Sequence, residues 1–192
     1  MTTGVNVIDG YLPTYDMRSA HQVEVNAPVA DTYRAARELD VGRSIPILTL
    51  FAIRAIPHML TGKARPSRSI TLQTVLDAGS VILAQDEPNG FVMGAVGKFW
   101  RPDSGMLRIA PDEFESFEAP GYAKGILSFS VDERGPTTSL LATETRVACT
   151  DESARRKFSL YWRAIGPFSG VIRHLMLQEV KRTAEAVAPS NA

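Results

Sequence analysis

The chain has 192 residues, which is enough to bury a substantial hydrophobic core. Apolar residues make up 44% of it and charged residues 22%, proportions typical of a soluble globular protein. The 21 Lys and Arg residues balance the 21 Asp and Glu residues, and this net charge of zero argues against a general nucleic-acid-binding protein, which would be basic overall.

The first part of the chain predicts a strand followed by a short helix. Residues 1–15 have no clear periodicity, and we expect a tail or an extended lead-in there. Residues 17–25 alternate between two faces, which is typical of a strand, and His21 lies on the more apolar face. Pro28 suits the first turn of a helix, so a short helix is expected over residues 28–38.

An apolar helix is predicted next. Residues 45–60 are apolar nearly all round apart from Arg54 and His58, so this helix should be mostly buried. The stretch is shorter than the roughly 20 residues that a membrane span needs, so no span is predicted. Residues 61–69 should form an exposed loop, and residues 71–78 should add one or two helical turns.

The periodicity changes to two after residue 80, which predicts a series of strands. Asn89-Gly90 is a strong hairpin signal between the first two of them. The predicted strands are 81–85, 91–100, 106–109, 113–117, 122–131 and 137–149. With residues 17–25 they make a sheet of about seven strands. Because short turns join successive strands, we expect an antiparallel meander with one face to bury.

The strongest amphipathic pattern in the sequence spans residues 151–187 and predicts a long terminal helix. Thr150 or Asp151 can cap its start. Its apolar stripe is rich in aromatic residues, whereas Arg173 and the other basic residues lie mostly off the stripe, where a solvated face is expected. Gly166-Pro167 interrupts the pattern, so we expect a kink or two helices end to end. The whole predicts a single α+β domain over residues 1–192.

This order of elements resembles the helix-grip fold of the START and Bet v 1-like superfamily, also called SRPBCC, which includes polyketide cyclase-like proteins. The resemblance covers roughly residues 17–186, and three stretches carry it. They are VEVNAPVADTY at 23–33, TETRVACTDESARRKFSLYW at 143–162 and GPFSGVIRHLMLQEVKRTAE at 166–185. The stretches are similar to those of bacterial members of the superfamily, and none of them is a catalytic signature.

The resemblance implies a curved sheet that grips the long helix, with a cavity between them. Members of the superfamily bind lipids, sterols, plant metabolites or polyketide intermediates in this cavity. Some members are cyclases or dehydratases, and others only carry or sense ligands. The apolar helix at 45–60 and its following loop look longer than usual and would restrict entry to the cavity.

The predicted ligand contacts are mostly bulky residues on faces that should point inward, and a solid core is the alternative. They are Phe51, Arg54, His58, Phe91, Met93, Phe99, Leu127, Phe129, Tyr161, Trp162, Ile165 and Phe168.

No constellation in the sequence identifies a reaction. The three histidines are far apart and lack the spacing of zinc ligands, so neither a metal site nor a cofactor is predicted. Cys149 has no histidine near it in sequence. His21, His58 and Glu144 remain as candidates for a general acid or base. Glu144 shares a face of the last strand with Arg146. The two residues could form a surface ion pair, or they could lie at the cavity as polar groups for a ligand.

Three functions therefore stay open. The leading hypothesis is non-enzymatic binding of a small lipid-, sterol- or polyketide-like molecule in the cavity. The second is a cyclase- or dehydratase-type enzyme that uses a pocket histidine or carboxylate. The third is a module that binds a protein partner through the basic face of the last helix. The single cysteine and the lack of a signal-peptide pattern predict a cytoplasmic location. For the oligomeric state, a monomer and a homodimer both stay open.

Overall fold

One antiparallel sheet of five strands forms the centre of the computed structural model, which describes residues 3–40, 71–101 and 103–188. The strands are β1 (Met17–Val25), β2 (Val81–Asp86), β3 (Gly90–Gly97), β4 (Ala123–Gly135) and β5 (Thr138–Cys149). Their order across the sheet is β1-β5-β4-β3-β2. The last four strands thus form a meander, and β1 pairs with the last of them, with Met17 opposite Val147 and Val25 opposite Ser139.

Five helices accompany these strands within the described residues. They are α1 (Thr3–Tyr11), α2 (Val29–Arg37), α3 (Leu72–Asp77), α4 (Glu113–Ser116) and α5 (Glu152–Val187). Asp151 caps α5, because its carboxylate accepts a hydrogen bond of 2.7 Å from the backbone N–H of Ala154. Helix α5 runs without a break through Pro167, so the prediction of two separate helices at that point is wrong.

Both faces of the sheet are covered, whereas the sequence pattern predicted one buried face. Helices α2 and α5 cover one face, over a core that contains Phe91, Phe129 and Leu177. Helices α1 and α4 cover the opposite face, over a second core that contains Val96 and Phe114. We call these the α5 face and the α1 face. Strand β3 has buried residues on both sides, so its alternation between large apolar residues serves two cores.

The α+β class, the antiparallel sheet and the long terminal helix are confirmed, but five strands form where about seven were predicted. Residues 106–109 supply only one bridge, between Leu107 and Val96. Residues 113–117 form α4 instead of a strand. One helical turn brings Phe114 and Phe117 to the same side, as a strand cannot do at that spacing, and Phe114 is fully buried there.

The expected N-terminal tail is also wrong, because residues 3–11 form α1. Its end places Ile8 and Leu12, four residues apart, in the core of the α1 face. The short helix predicted at 71–78 is confirmed as α3, which Thr71 caps and which Gly79 follows in a left-handed conformation with φ of 114°. The predicted helix at 45–60 and loop at 61–69 lie outside the described residues.

Candidate functional site

A cavity of about 570 Å³ lies between the α5 face of the sheet and the first half of α5. Met93, Ala95, Gly125, Leu127, Thr145 and Val147 form its floor, and Phe158, Tyr161, Trp162, Ile165, Ser169 and Arg173 form its helical wall. Parts of α3 and of the segment after β3 complete it, including Val75, Phe99 and Met106. A second cavity of about 210 Å³ shares five of these residues and extends towards α2. The five shared residues are Val75, Met93, Leu127, Ser169 and Arg173.

The period of each element explains why these side chains converge. Alternate residues of β3, β4 and β5 point to the same face, and residues three and four apart on α5 share one side. Ala95 stands opposite Gly125 across the β3–β4 pair, so the floor is low where two small residues meet. A side chain at Gly125 would reach the ring of Phe99 at 3.4 Å. The cavity thus depends on small residues in the sheet as much as on large ones in the helix.

Trp162 has a defined position in the wall. Its ring stacks on Phe158, with ring centroids 6.0 Å apart and planes 17° apart. The indole lies over Gly166, where an added Cβ would come within 3.0 Å of the indole nitrogen. Gly166 is therefore needed as a small residue to hold the indole against the helix, an explanation that the sequence pattern did not provide.

The charged group of the cavity is Arg173, which is partly buried and lines both cavities. Its Nε and Nη2 atoms donate to Oγ1 of Thr145 at 3.0 and 2.6 Å. Its Nη1 atom donates to the carbonyl oxygen of Ser169 at 3.2 Å and also to the hydroxyl of Ser169. Burial lowers the pKa of the Arg173 guanidinium to about 10, so the group still carries its charge at neutral pH.

No carboxylate among the described residues pairs with Arg173. All 21 Asp and Glu residues of the chain fall within the described ranges, because residues 1–2, 41–70, 102 and 189–192 contain none. The ion pairs formed by these carboxylates involve other cations. A charged group is rarely buried without a partner of opposite charge, which makes Arg173 unusual.

Eight of the predicted ligand contacts line one of the two cavities. They are Phe91, Met93, Phe99, Leu127, Phe129, Tyr161, Trp162 and Ile165. Phe168 does not, since its side chain is 43% exposed. Phe51, Arg54 and His58 lie outside the described residues.

The prediction missed Arg173, Thr145 and Ser169. Arg173 was expected on the solvated side of the helix because it is charged. Its position gave a contrary signal, since it lies four residues after Ser169 and three before Met176, and all three line the smaller cavity.

Glu144 and Arg146 lie on the opposite side of the sheet from the cavity, so the prediction of a polar group at the cavity is wrong for both. The Glu144 carboxylate accepts from Arg146 Nε at 2.7 Å and from Arg18 at 2.8 and 2.9 Å. Arg146 also donates to Asp9 of α1 at 2.6 Å and to the carbonyl oxygen of Leu12 at 3.1 Å. The pair is buried beneath α1, which the surface alternative did not predict either.

His21 does not line either cavity. Its Nε2 atom lies 3.1 Å from the Ser19 hydroxyl, and its ring faces α5 at Gly170. Burial, with the charge of Arg173 and of His174, lowers the pKa of His21, which favours a neutral imidazole. Cys149 carries the only thiol of the chain, and burial beside Asp16 raises the pKa of this thiol to about 12. The thiol is therefore protonated at neutral pH.

A larger concavity of about 640 Å³ lies at the hairpin ends of β2, β3 and β4. Exposed polar side chains make up much of its lining, among them Asp86, Asn89, Glu133 and Arg134. Its lining is more polar than that of the cavity beside α5, whose apolar walls and few polar groups are typical of a ligand site.

None of the helices in the described ranges is both long enough and apolar enough to cross a membrane. No group of three His, Cys, Asp or Glu side chains there could hold a metal ion. The absence of a metal requirement stays a prediction.

No family model matches the chain, and no curated protein matches it. Several solved structures are similar in fold. A conserved protein from Geobacillus kaustophilus is 7% identical, with 88% of this chain and 96% of that chain covered and a TM-score of 0.42. An aromatase/cyclase from Streptomyces is 13% identical, with 90% and 99% covered and a TM-score of 0.32.

A norcoclaurine synthase point mutant from Thalictrum is 10% identical, with 84% of this chain and 94% of that chain covered and a TM-score of 0.32. Likenesses at this level assign neither a family nor an activity to the chain.

Proposed function

We propose that the protein binds a small hydrophobic molecule in the cavity between the sheet and α5. The observation that supports this most is the cavity itself, which has a volume of about 570 Å³, is lined mainly by aromatic and aliphatic side chains and opens to the surface of the described structure. Ligand sites in proteins typically measure about 300–1,000 Å³ and combine apolar walls with a few polar groups. The expected contacts are Met93, Phe99, Leu127, Tyr161, Trp162 and Ile165.

The apolar walls of this space are not packed against other described side chains across the concavity. Side chains in a core normally interdigitate, so an apolar concavity of this size leaves contacts unmade. The sheet contributes Ala95 and Gly125 at the point where a larger residue would fill the space. A molecule that occupies the cavity would provide the contacts that these small residues do not make.

The walls favour binding over catalysis by a general acid or base. Among the residues that the structure describes, no His, Asp or Glu side chain lines either cavity. A general acid or base has to lie within hydrogen-bond reach of the reacting group, so the cyclase-type alternative receives no support from these walls. We therefore infer that the protein is a carrier or sensor of its ligand, acting as a single domain.

The basic face of α5 does not favour a protein-binding module. Arg155 pairs with Asp16 at 2.7 Å, and Arg156 pairs with Glu152 at 3.3 Å. Arg182 pairs with Glu179 at 2.6 Å within the same helix. Because acidic neighbours already partner these side chains, they have the character of a solvated surface.

Tryptophan fluorescence tests the proposal, because one of the two tryptophans lines the cavity and the other does not. Trp162 is in the wall, whereas Trp100 packs against the same hydrophobic cluster as Trp162 without lining the cavity. Adding decanol or naphthalene should change the emission of the wild-type protein. The Trp162→Phe variant keeps an aromatic ring on Phe158 and should lose most of that change, and the Trp100→Phe variant should keep it.

If no probe of either shape changes the emission of the wild-type protein, or if the response depends on Trp100 instead, the cavity is not the binding site. Thermal unfolding of both variants without probe controls for damage to the fold. Phenylalanine is preferred to alanine at these positions, because removing a buried aromatic side chain costs about 3–5 kcal/mol and would confuse binding with stability.

A further inference from the structure

Arg173 is a partly buried cation with no counterion among the described residues, and it lies at a wall that the two cavities share. Another arginine in the described part of the chain, Arg146, is buried together with opposite charges. Arg146 lies between the carboxylates of Glu144 and Asp9, with contacts of 2.7 and 2.6 Å. Transfer of a charge out of water is costly unless an opposite charge accompanies it, and Arg173 has only neutral oxygen atoms around it.

The described partners of Arg173 do not use all of its donors. A guanidinium has five N–H groups, and the contacts with Thr145 and Ser169 account for four of them. One N–H on Nη2 has no acceptor among the described residues. The hydroxyls of Thr145 and Ser169 accept from Arg173, and neither donates its own hydrogen to another described residue. All three residues line the larger cavity.

We propose that the cavity takes an anionic amphiphile, an apolar chain or ring system that ends in a carboxylate, and that this carboxylate pairs with Arg173. This inference rests on the proposed function, since it names the chemical class of the molecule that the cavity binds. The N–H of Nη2 and the two hydroxyls are the donors for the carboxylate oxygens. The apolar part lies along the wall that contains Tyr161, Trp162 and Ile165.

A carboxylate fits better than a phosphate because of charge. Within the described walls of both cavities Arg173 is the only Lys or Arg residue, so one positive charge is available. A phosphate monoester carries about −1.5 to −2 at neutral pH and would leave negative charge uncompensated in an apolar space. A carboxylate carries one negative charge, and a guanidinium can match its planar pair of oxygens.

Decanoate and decanol form a matched pair of probes, because they have the same chain length and differ in the charge of the end group. We expect wild-type protein to bind decanoate about tenfold or more tightly than decanol by titration calorimetry at neutral pH, since hydrogen bonds between charged groups are the stronger ones. Arg173→Gln should remove this preference and leave the affinity for decanol within about twofold. Arg163→Gln removes the same charge from an exposed position of the same helix and should keep the preference.

The outcomes separate the inference from the proposed function. If decanol binds but decanoate binds no more tightly, or if Arg173→Gln keeps the preference, the inference is wrong and the proposed function stands. If neither probe binds the wild-type protein, the proposed function fails and the inference fails with it. Thermal unfolding of Arg173→Gln without probe checks the fold, and loss of an uncompensated buried charge should not lower its midpoint.

A second variant decides the question if Arg173→Gln does not fold. Thr145→Val keeps the shape of the side chain and removes the hydroxyl that accepts from Arg173. A decanoate preference reduced severalfold relative to wild type would support the inference, and an unchanged preference would overturn it.

Discussion

Replacing Glu144 by glutamine should destabilise the fold by about 3 kcal/mol at neutral pH. The carboxylate is 8% exposed and is held between two guanidiniums, those of Arg18 and Arg146. Removing one member of a buried ion pair typically costs about 3–5 kcal/mol, because the remaining charge stays buried. The lower end applies here, since Arg146 keeps its contact with Asp9, a side chain that is 50% exposed.

Urea unfolding at neutral pH measures this cost as a change in the extrapolated free energy of unfolding. Asp103→Asn is the matched control. Asp103 also pairs with an arginine, Arg101 at 2.9 Å, but both side chains are more than half exposed. Its substitution should leave the urea midpoint unchanged, because water already screens the pair.

The pH dependence gives an independent check. Hydrogen bonding from Arg18 is the main cause that holds the pKa of Glu144 below its ordinary value of 4.5, and Arg146 adds to it. A lowered folded-state pKa contributes stability at pH values above 4.5, and this contribution is lost as the pH falls towards the folded-state pKa. The difference between wild type and Glu144→Gln should therefore be full at neutral pH and should shrink below pH 4.5. A cost under about 1 kcal/mol, or one that does not change with pH, would refute the account of a buried ion pair.

Three further substitutions test the packing at two glycines and one buried hydrogen bond. Gly94→Ala would place a Cβ 2.9 Å from the ring of Phe114 and should lower the free energy of unfolding by about 1–3 kcal/mol, while Gly125→Ala, whose Cβ meets its neighbours at 3.4 Å, should be neutral or stabilising by up to about 1 kcal/mol. Equal costs for the two in urea unfolding would contradict this difference. Ser139→Ala removes the 2.8 Å contact with the buried hydroxyl of Thr32 and should cost about 1–3 kcal/mol by the same measurement. A change below about 0.5 kcal/mol would mean that another group satisfies Thr32.

The long elements were predictable because each repeats its pattern many times. The helix expected at 151–187 is found at Glu152–Val187, and the strand expected at 17–25 is found with those bounds. Short elements offered too few repeats. Residues 113–117, EFESF, were predicted as a strand, but five residues are too few to establish a period, and they form a single helical turn that buries Phe114. Tertiary contacts decided between the two.

The apolar lining of the cavity could be predicted from the sequence, whereas its polar groups could not. Periodicity correctly grouped Trp162 with Tyr161 and Ile165, since bulky residues at helical spacing share a buried side. It also correctly grouped Glu144 with Arg146, but it could not say which side of the sheet they face. A strand pattern shows that two residues share a face of the sheet. It does not show which element covers that face.

Two arginines lie on opposite faces of the sheet at β5. Arg146 belongs to β5 itself, and Arg173 belongs to α5 and contacts Thr145 of β5. They differ in whether a carboxylate of the chain accompanies the charge. On the α1 face, Arg146 has two carboxylates of its own chain and a backbone carbonyl, so its charge is compensated without any ligand. On the α5 face, Arg173 contacts the strand only through the hydroxyl of Thr145, and no described carboxylate reaches it. Burial disfavours the charge of both cations, yet the pKa is raised for Arg146, where the carboxylates outweigh the burial, and lowered for Arg173, where burial is the cause. No described carboxylate offsets the burial of Arg173, and a bound carboxylate would do so.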